Sequence, residues 1–297
     1  MNLEQMEYVT AVAAEGSFTA AAQSCHVSLS AISQSVSQLE AELGVALFTR
    51  GRGAGAVPTA EGMQLIRKAG EVLDKVTELR EQALHTAGTV GGKLRIATIP
   101  GPMHLLVDSI RTFKQEYPEV KIEIREMSSG EILEEAEAGR IDFGLMVETD
   151  EVRERRGQFL FRSLLKGKRV VGVPRRSPSA RLRAIRPEQL AGHTLVLYDD
   201  PDLKAELQAL LAACGGAEIL FTTNNTKAIQ DAVGRGLAWT VGIDYSFTDK
   251  NAGIVPVELA AEGMAPLDYG WLLYRGRRPT EAAKRFLREL QTGFAAR

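Results

Sequence analysis

A glycine-rich joint at residues 88–92, Gly-Thr-Val-Gly-Gly, separates two parts of the chain that follow different hydrophobic rhythms. Before the joint, apolar residues recur at three- and four-residue spacings, which is typical of helices. After it, short apolar runs alternate with helical segments, which is typical of an α/β fold. Because such glycine clusters connect domains flexibly, we predict a helical domain followed by an α/β domain.

Three helices are predicted in the N-terminal part, over residues 3–13, 18–25 and 28–44. Ser17 follows Gly16 and caps the second helix, and Gly44 ends the third. The third helix places its apolar residues on one face and polar, uncharged residues on the other, namely Ser30, Ser33, Gln34, Ser37 and Gln38. This arrangement has the outline of a helix-turn-helix.

A hairpin and a long helix are predicted next. Residues 46–58 carry Arg50 and Arg52 in a glycine-rich turn between apolar flanks. The helix over residues 59–87 would be about 40 Å long and carries an apolar stripe that includes Leu73 and Val76. The small preceding unit cannot cover this stripe, so we expect the same helix of a second subunit to cover it. The alternative partner is the second half of the chain.

Strands and helices alternate after residue 92 with short connections, which predicts a parallel α/β sheet. Strands are expected over residues 94–99, 120–125, 141–147, 169–173, 194–198, 219–222, 238–242 and 270–274. Helices are expected over residues 103–117, 132–138, 203–213, 227–233 and 280–292. This number of elements is sufficient for two lobes.

Catalytic signatures are mostly missing from the sequence, which disfavours an enzyme. The four histidines are scattered singly, so we predict neither catalytic residues nor a metal site nor a cofactor. The two cysteines, Cys25 and Cys214, are too few for a disulfide framework. Glu4 and Glu7 stand where a signal peptide would carry basic residues, and no long apolar run occurs, so a cytoplasmic protein without membrane attachment is expected.

The N-terminal block resembles the DNA-binding domain of the LysR-type transcriptional regulators. The matching residues are Leu3, Met6, Tyr8, Gly16, Ser17, Phe18, Thr19, Ala20, Ala21, Ala22, Val27, Ser28, Ile32, Ser33, Val36, Leu39, Glu40, Leu43, Gly44, Leu47, Phe48, Arg50, Thr59 and Gly62. Residues 113–118, 139–143 and 233–237 look like landmarks of the same family in the second half. The resemblance therefore covers essentially the whole chain.

The resemblance implies three segments. Residues 1–58 would form an all-α winged helix-turn-helix that binds DNA, and residues 59–87 a linker and dimerisation helix. Residues 88–297 would form a two-lobed α/β effector domain like periplasmic binding proteins, with lobe 1 at about 93–165 plus 268–297 and lobe 2 at about 166–267. The implied partners are double-stranded DNA, a small-molecule effector, further copies in a homodimer or homotetramer, and RNA polymerase.

Candidate DNA-binding residues lie on the second and third helices and in the hairpin. They are Ser17, Thr19, Ser28, Ser30, Ser33, Gln34, Ser37, Gln38, Arg50 and Arg52. A two-fold protein imposes its symmetry on its site, so the expected target is an interrupted palindrome. The third helix, which often carries basic residues in this family, holds none, and residues 1–62 hold two arginines against six glutamates. Hydrogen bonds must therefore replace much of the usual phosphate attraction.

Candidate effector-binding residues follow the predicted strands, where the carboxyl ends of strands and the starts of helices leave polar groups unpaired. They are Thr98, Pro100, Gly101, Ser128, Ser129, Val147, Tyr198, Thr222 and Asn224, which match the positions at which the family holds its ligands. Free N–H groups near Met103 and Ser129 would suit a small carboxylate or another anion.

Residues 150–190 hold twelve basic residues against four acidic ones. A solvated face and a second contact with DNA or an acidic partner are the alternatives. For the whole protein we predict a ligand-responsive DNA-binding regulator. The alternatives are a redox-sensing regulator of the same architecture, which a single cysteine in the effector domain disfavours, and a solute-binding protein or enzyme, which would leave the N-terminal helices without a role.

Overall fold

The computed structural model describes residues 1–49, 55–86, 90–247, 253–261 and 266–295. Contacts along the chain divide it into two compact units, Met1–Thr89 and Val90–Arg297. The N-terminal unit contains one hydrophobic core, and the C-terminal unit contains two. The two cores of the C-terminal unit correspond to two lobes.

The described part of the N-terminal unit forms helices α1 (Leu3–Glu15), α2 (Phe18–Ser24), α3 (Leu29–Leu43) and α4 (Ala60–Thr86). The first three begin at side-chain caps, which Asn2, Ser17 and Ser28 provide. Gly16 and Gly44 end α1 and α3 with φ values of 59° and 69°, a left-handed conformation that glycine adopts without strain. These helices are the ones that the sequence predicts.

The core of this unit joins the buried face of α3 to the flanks of the predicted hairpin. Phe48 bridges Pro58 in antiparallel fashion, and the Thr49 N–H donates to the Val57 carbonyl at 2.9 Å. The tip of the hairpin, residues 50–54, lies outside the described residues. Gly62 of α4 packs so closely on Leu47 that a Cβ atom there would overlap the Leu47 carbonyl oxygen. A side chain at residue 62 would therefore push α4 away from the core.

The described residues of the C-terminal unit form eleven strands and seven α-helices. The strands are β1 (Lys93–Thr98), β2 (Lys121–Glu126), β3 (Phe143–Val147), β4 (Phe159–Gly167), β5 (Arg169–Pro174), β6 (Ala184–Ile185), β7 (Thr194–Leu197), β8 (Glu218–Thr222), β9 (Thr240–Ile243), β10 (Ile254–Leu259) and β11 (Leu267–Tyr274). The helices are α5 (Val107–Glu116), α6 (Ser129–Glu137), α7 (Asp150–Glu154), α8 (Pro187–Leu190), α9 (Pro201–Leu211), α10 (Thr226–Gly234) and α11 (Glu281–Ala295). Short 3-10 turns lie at Pro102–Leu106, Pro178–Arg181, Ala212–Cys214 and Asp244–Ser246.

The strands assemble into one sheet in lobe 1 and two in lobe 2. Lobe 1 has the order β2-β1-β3-β11-β4. Lobe 2 has a sheet of order β6-β10-β5-β9 and a parallel pair, β7-β8. The chain leaves lobe 1 after β4 and returns to it at β11, so two crossings join the lobes. The predicted class, a helical N-terminal domain with a two-lobed α/β domain, is confirmed.

The expectation of a parallel sheet is only partly correct. β1 is parallel to β2 and β3, but β11 runs antiparallel to both β3 and β4, and β10 and β9 run antiparallel to β5. Strands β4, β6 and β10 were not predicted from the sequence. β10 contains Pro256, which ordinarily argues against a strand inside a sheet. The crossings between lobes, which the hydrophobic pattern does not encode, produce the antiparallel neighbours.

Candidate nucleic-acid interface and effector cavity

The outer face of α3 presents a row of short polar side chains. Ile32, Val36 and Leu39 are buried on the inner face. The outer face consists of exposed residues at successive spacings of three, one, three and one, namely Ser30, Ser33, Gln34, Ser37 and Gln38. Serine and glutamine donate and accept hydrogen bonds, so this face is suited to base edges in a major groove.

The starts of α2 and α3 carry hydroxyl caps and no acidic residue in their first turns. Ser17 Oγ accepts from the Ala20 N–H at 3.3 Å, and Ser28 Oγ accepts from the Ala31 N–H at 3.1 Å. The Ser28 and Ser30 hydroxyl oxygens lie 2.9 Å apart. The partial positive charge of these helix starts is therefore available to a phosphate, and Thr19 is exposed beside the α2 start.

Some acidic side chains of the N-terminal unit form hydrogen bonds within the unit itself. Glu40 accepts hydrogen bonds from the N–H groups of Leu47 at 2.7 Å and Phe48 at 3.2 Å, and so anchors the segment after α3. Glu4 accepts from the Tyr8 hydroxyl at 2.6 Å. The two predicted phosphate contacts Arg50 and Arg52 lie outside the described residues.

Helix α4 carries more apolar surface than its own unit covers. Leu65, Ile66 and Ala69, near its start, pack on the core of the N-terminal unit. Leu79 is 68% exposed within the described chain, and Val72 is 41% exposed. A protein rarely leaves such a row of large apolar side chains in water, so α4 requires a partner along its length.

A cavity of about 490 Å³ lies between the two lobes of the C-terminal unit. Its lobe 1 wall comes from the ends of β1 and β3 and from α7, and its lobe 2 wall from β5, β9 and α9. This volume lies within the range of about 300–1,000 Å³ that small-molecule sites occupy. The cavity is the candidate effector site.

The structure brings four of the nine predicted effector residues to the cavity, namely Pro100, Ser129, Val147 and Tyr198. Gly101 adjoins it, since a Cβ atom on Gly101 would lie 3.1 Å from the Tyr198 hydroxyl oxygen. Thr98 is completely buried, and its hydroxyl donates to the Ile99 carbonyl at 3.2 Å. Ser128 caps α6 instead of facing the cavity.

The last two predicted residues lie apart from the cavity lining. The Thr222 hydroxyl donates to Asp199 Oδ1 at 3.4 Å. The Asn224 amide oxygen accepts from the Asp199 N–H at 3.2 Å. Both side chains therefore hold the loop between β7 and α9 rather than the cavity wall.

The charged groups of the lining were not predicted from the sequence. Six carboxylates line the cavity among the described residues, namely Glu148, Asp150, Glu151, Asp200, Asp202 and Glu206. Two guanidinium groups accompany them, those of Arg153 and Arg169. The sequence nevertheless contained a signal for these acidic residues. Most of them come directly after β3 or β7, and ligands of α/β folds bind at the carboxyl ends of strands.

Tyr198 lines the cavity, but its hydroxyl oxygen is buried within the protein and is not exposed to the cavity. Only 6% of the residue is exposed. Burial raises the pKa of its hydroxyl above the ordinary value, so the group remains protonated at neutral pH.

The basic stretch over residues 150–190 does not form one free patch. Six of its cations pair with carboxylates, namely Arg153, Arg155, Arg156, Lys168, Arg169 and Arg186. These pairs are distributed over both lobes, which favours a solvated and paired face over a single second contact with DNA.

The helix-turn-helix with an open α3 face, joined to a two-lobed unit with a central cavity, defines the class of DNA-binding regulators that carry a ligand domain. Residues 3–63 match the family model of bacterial regulatory helix-turn-helix proteins of the lysR family. Residues 87–295 match the model of the LysR substrate binding domain. The chain belongs to the LysR family, which confirms the resemblance found in the sequence.

Relatives in the family include proteins named as DNA-binding regulators and gene activators. The hydrogen peroxide-inducible genes activator of Haemophilus influenzae is 30% identical over 202 residues, which is 67% of this chain and 65% of the relative. The DNA-binding transcriptional dual regulator OxyR of Escherichia coli is 30% identical over 202 residues, 67% of this chain and 64% of the relative. The match thus spans less than two thirds of the length of either relative.

Solved structures with the same fold cover nearly the whole chain. CbnR, a LysR family transcriptional regulator, is 20% identical with a TM-score of 0.62, and the match covers 99% of both chains. A full-length OxyR variant from Pseudomonas aeruginosa is 23% identical with a TM-score of 0.68, covering 99% of this chain and 94% of that one. Among the described residues, no helix is long and apolar enough to span a membrane.

Proposed function

We propose that the protein is a LysR-type, ligand-responsive transcription regulator that binds an interrupted palindrome in promoter DNA. The observation that carries this proposal is the pairing of an exposed, hydrogen-bonding α3 face with a two-lobed unit that encloses a cavity. CbnR has been crystallised with its target DNA, and its chain shares this fold with a TM-score of 0.61. As a regulator of transcription the protein would act in the cytoplasm, contact RNA polymerase and catalyse no reaction.

The DNA contacts divide into two kinds. Ser30, Ser33, Gln34, Ser37 and Gln38 face outward from α3 and would read base edges. Ser17, Thr19 and Ser28 stand at the starts of α2 and α3 and would bind phosphates, together with Arg50 and Arg52. With so few cations, the salt dependence of DNA binding should be shallow for this class of protein.

Assembly would proceed through α4. Its exposed apolar stripe suits antiparallel pairing with α4 of a second copy, which places two α3 helices on the two half-sites of a palindrome. A homotetramer would need a second contact between C-terminal units. Strand β8 offers an unpaired edge, on which Ile219 and Phe221 are 39% and 38% exposed.

The effector would bind in the cavity and favour closure of the lobes. A ligand shifts a conformational equilibrium only by its difference in affinity for the two states, so residues from both lobes must contact it. Pro100, Ser129 and Val147 lie on the lobe 1 side, and Tyr198 on the lobe 2 side. Closure of the lobes would then change the distance between the two α3 helices of the dimer.

The experiment that tests DNA recognition measures fluorescence anisotropy on the promoter fragment beside the gene of this protein. Gln34→Ala should cost about 1–3 kcal/mol and relax the preference at one base pair. Arg52→Ala should weaken binding to all sequences alike and make the salt dependence shallower. An exchange of these two effects would overturn the assignment of roles, and failure of the wild-type chain to select a palindrome would overturn the function.

A redox-sensing regulator is the second candidate, because the Haemophilus influenzae relative is named as an activator of hydrogen peroxide-inducible genes. Cys214 is the single cysteine after residue 90, and Cys25 belongs to α2 and its turn, so a sensing pair within the effector unit is missing from the sequence. Both thiols are free. If peroxide changes DNA binding by the wild-type chain, and Cys214→Ser abolishes that change, the redox candidate replaces the ligand-responsive one.

A further inference from the structure

Glu40 lies on the α3 face that would approach DNA. It follows Ser33 and Ser37 at spacings of seven and three residues, so its side chain leaves the helix on the same side as theirs. Two grooves between α3 and the hairpin flank also include Glu40 in their walls, beside Ser37 and Phe48. A carboxylate in this place repels phosphate, so its presence requires a role that outweighs the repulsion.

One oxygen of Glu40 holds the chain that leads from α3 into the hairpin. Glu40 Oε1 accepts hydrogen bonds from the Leu47 N–H at 2.7 Å and the Phe48 N–H at 3.2 Å. Leu47 and Phe48 are both buried in the core of the N-terminal unit. Buried backbone N–H groups need an acceptor, and Glu40 supplies one for two consecutive residues.

The base of the hairpin is also held from α2 and α4. The Thr59 N–H donates to the Leu47 carbonyl at 2.9 Å, and the Thr59 hydroxyl donates to the Ala46 carbonyl at 2.7 Å, just before α4 begins. The ring of Phe48 meets the ring of Phe18 of α2 edge-on, with centroids 5.5 Å apart. These contacts fix the base against two helices, and the Glu40 carboxylate fixes it against the helix that would read the bases.

We propose that Glu40 is a positioning residue for DNA binding, whose carboxylate holds the hairpin base against α3 so that Arg50 and Arg52, which follow it in the sequence, begin at a fixed place beside the α3 face. The inference rests on the proposed function, which assigns base edges to α3 and phosphates to the hairpin. A segment that is ordered before binding loses less conformational entropy on binding. Glu40 therefore acts as a hydrogen-bond acceptor, and its charge by itself opposes DNA binding.

Three variants separate the acceptor from the charge in fluorescence anisotropy on the promoter fragment. Glu40→Gln and Glu40→Ala both remove the charge, but glutamine retains an oxygen that can accept from both N–H groups. Glu40→Gln should bind DNA at least as tightly as the wild type, and Glu40→Ala should bind about fivefold or more weakly than Glu40→Gln. Glu40→Asp retains the charge on a side chain that is one methylene shorter, and it should bind more weakly than the wild type.

Arg52→Ala, added to each of these chains, gives a readout that a loss of stability alone would not change. In the wild type and in Glu40→Gln it should weaken binding and reduce the slope of log affinity against log salt by about one. In Glu40→Ala it should cost less than about twofold and leave the slope unchanged, because the hairpin is no longer held beside the phosphates.

Hydrogen exchange of the Leu47 and Phe48 amides tests the anchor without DNA. Both amides should stay protected in Glu40→Gln and lose protection in Glu40→Ala and Glu40→Asp, while the amides of α1 stay protected in all chains. If Glu40→Ala does not fold, the charge-matched comparison of Glu40→Asp with the wild type decides.

The proposal is overturned if both members of each charge-matched pair bind DNA alike, or if Arg52→Ala costs the same factor in every chain. A wild-type chain that binds the promoter while the pairs bind alike refutes the positioning role alone. A wild-type chain with both amides protected that does not bind the promoter refutes the proposed function, and the positioning role with it.

Discussion

Helices α3 and α6 begin with the same kind of cap but differ in the third residue that follows it. Each starts at a serine cap, Ser28 in the N-terminal unit and Ser128 in the C-terminal unit. In α6 the third residue after the cap is Glu131, which accepts from the Ser128 N–H and hydroxyl and completes a capping box. In α3 the equivalent residue is Ala31, and no acidic residue follows in the first turn.

This difference indicates which helix starts remain open to an anionic partner. The positive start of α3 is not neutralised by the chain, so an incoming phosphate meets it directly. Around the cavity, the starts of α6, α7 and α9 each carry acidic residues in their first turns, so their positive ends are already neutralised. An N-terminal unit with a net negative sequence can therefore still attract DNA locally, whereas the helix starts around the cavity are neutralised by acidic residues of the chain itself.

The largest expected effect concerns the pairing of α4 with α4 of a second copy, which would bring two α3 helices to the two half-sites. Leu73→Glu with Val76→Glu would place charges in the apolar stripe of α4, and each buried charge without a partner costs several kcal/mol. We expect loss of the dimer in equilibrium sedimentation and loss of palindrome binding with it. Gln64→Glu, an exposed polar position of α4 away from the stripe, should leave assembly intact. Unchanged assembly of the double variant would show that α4 does not form the seam.

The second prediction transfers the α6 start to α3. Ala31→Glu should complete a capping box with Ser28 and raise stability by a few tenths of a kcal/mol, yet weaken DNA binding about tenfold or more, because a carboxylate then faces phosphate. Ala31→Gln completes the same box without charge and should bind DNA nearly as the wild type does. Thermal unfolding and anisotropy measure the two effects. Equal weakening by both variants would indicate a steric cause instead.

Much of the N-terminal unit could be predicted because its signals are local. The caps Ser17 and Ser28, the stop at Gly44 and the helical spacing of Ile32 and Val36 all lie within a few residues of what they determine. The polar α3 face followed from the same spacing. The helices of this unit and their exposed side chains could therefore be predicted together.

The cavity could be predicted only in part, because its chemistry comes from distant segments. The ends of β1 and β3 gave Pro100 and Val147 correctly as lining residues. Asp202 and Glu151 line the same cavity only because the chain crosses between lobes twice, and no local pattern encodes that approach. The same crossings explain why strand direction was misjudged. Contacts between segments that lie far apart in the sequence could not be predicted from the sequence pattern.

The third prediction removes the capping box from α6. Glu131→Ala should lower the free energy of unfolding by about 1 kcal/mol, because the Ser128 N–H loses its acceptor. Glu134→Ala, an exposed acid of the same helix, should leave the free energy of unfolding unchanged. Denaturant unfolding measures both variants, and unchanged stability of Glu131→Ala would show that the box contributes nothing to the α6 start.

The smallest effect is expected for Tyr198→Phe. The Tyr198 hydroxyl has no hydrogen-bond partner, so its removal should leave stability unchanged or raise it by up to about 1 kcal/mol. Tyr245→Phe is the control, since the Tyr245 hydroxyl is also buried without a partner but the residue does not line the cavity. Both variants should show the same stability trend in denaturant. A clear loss of stability in Tyr198→Phe alone would mean that its hydroxyl serves the fold through the nearby Thr226 side chain.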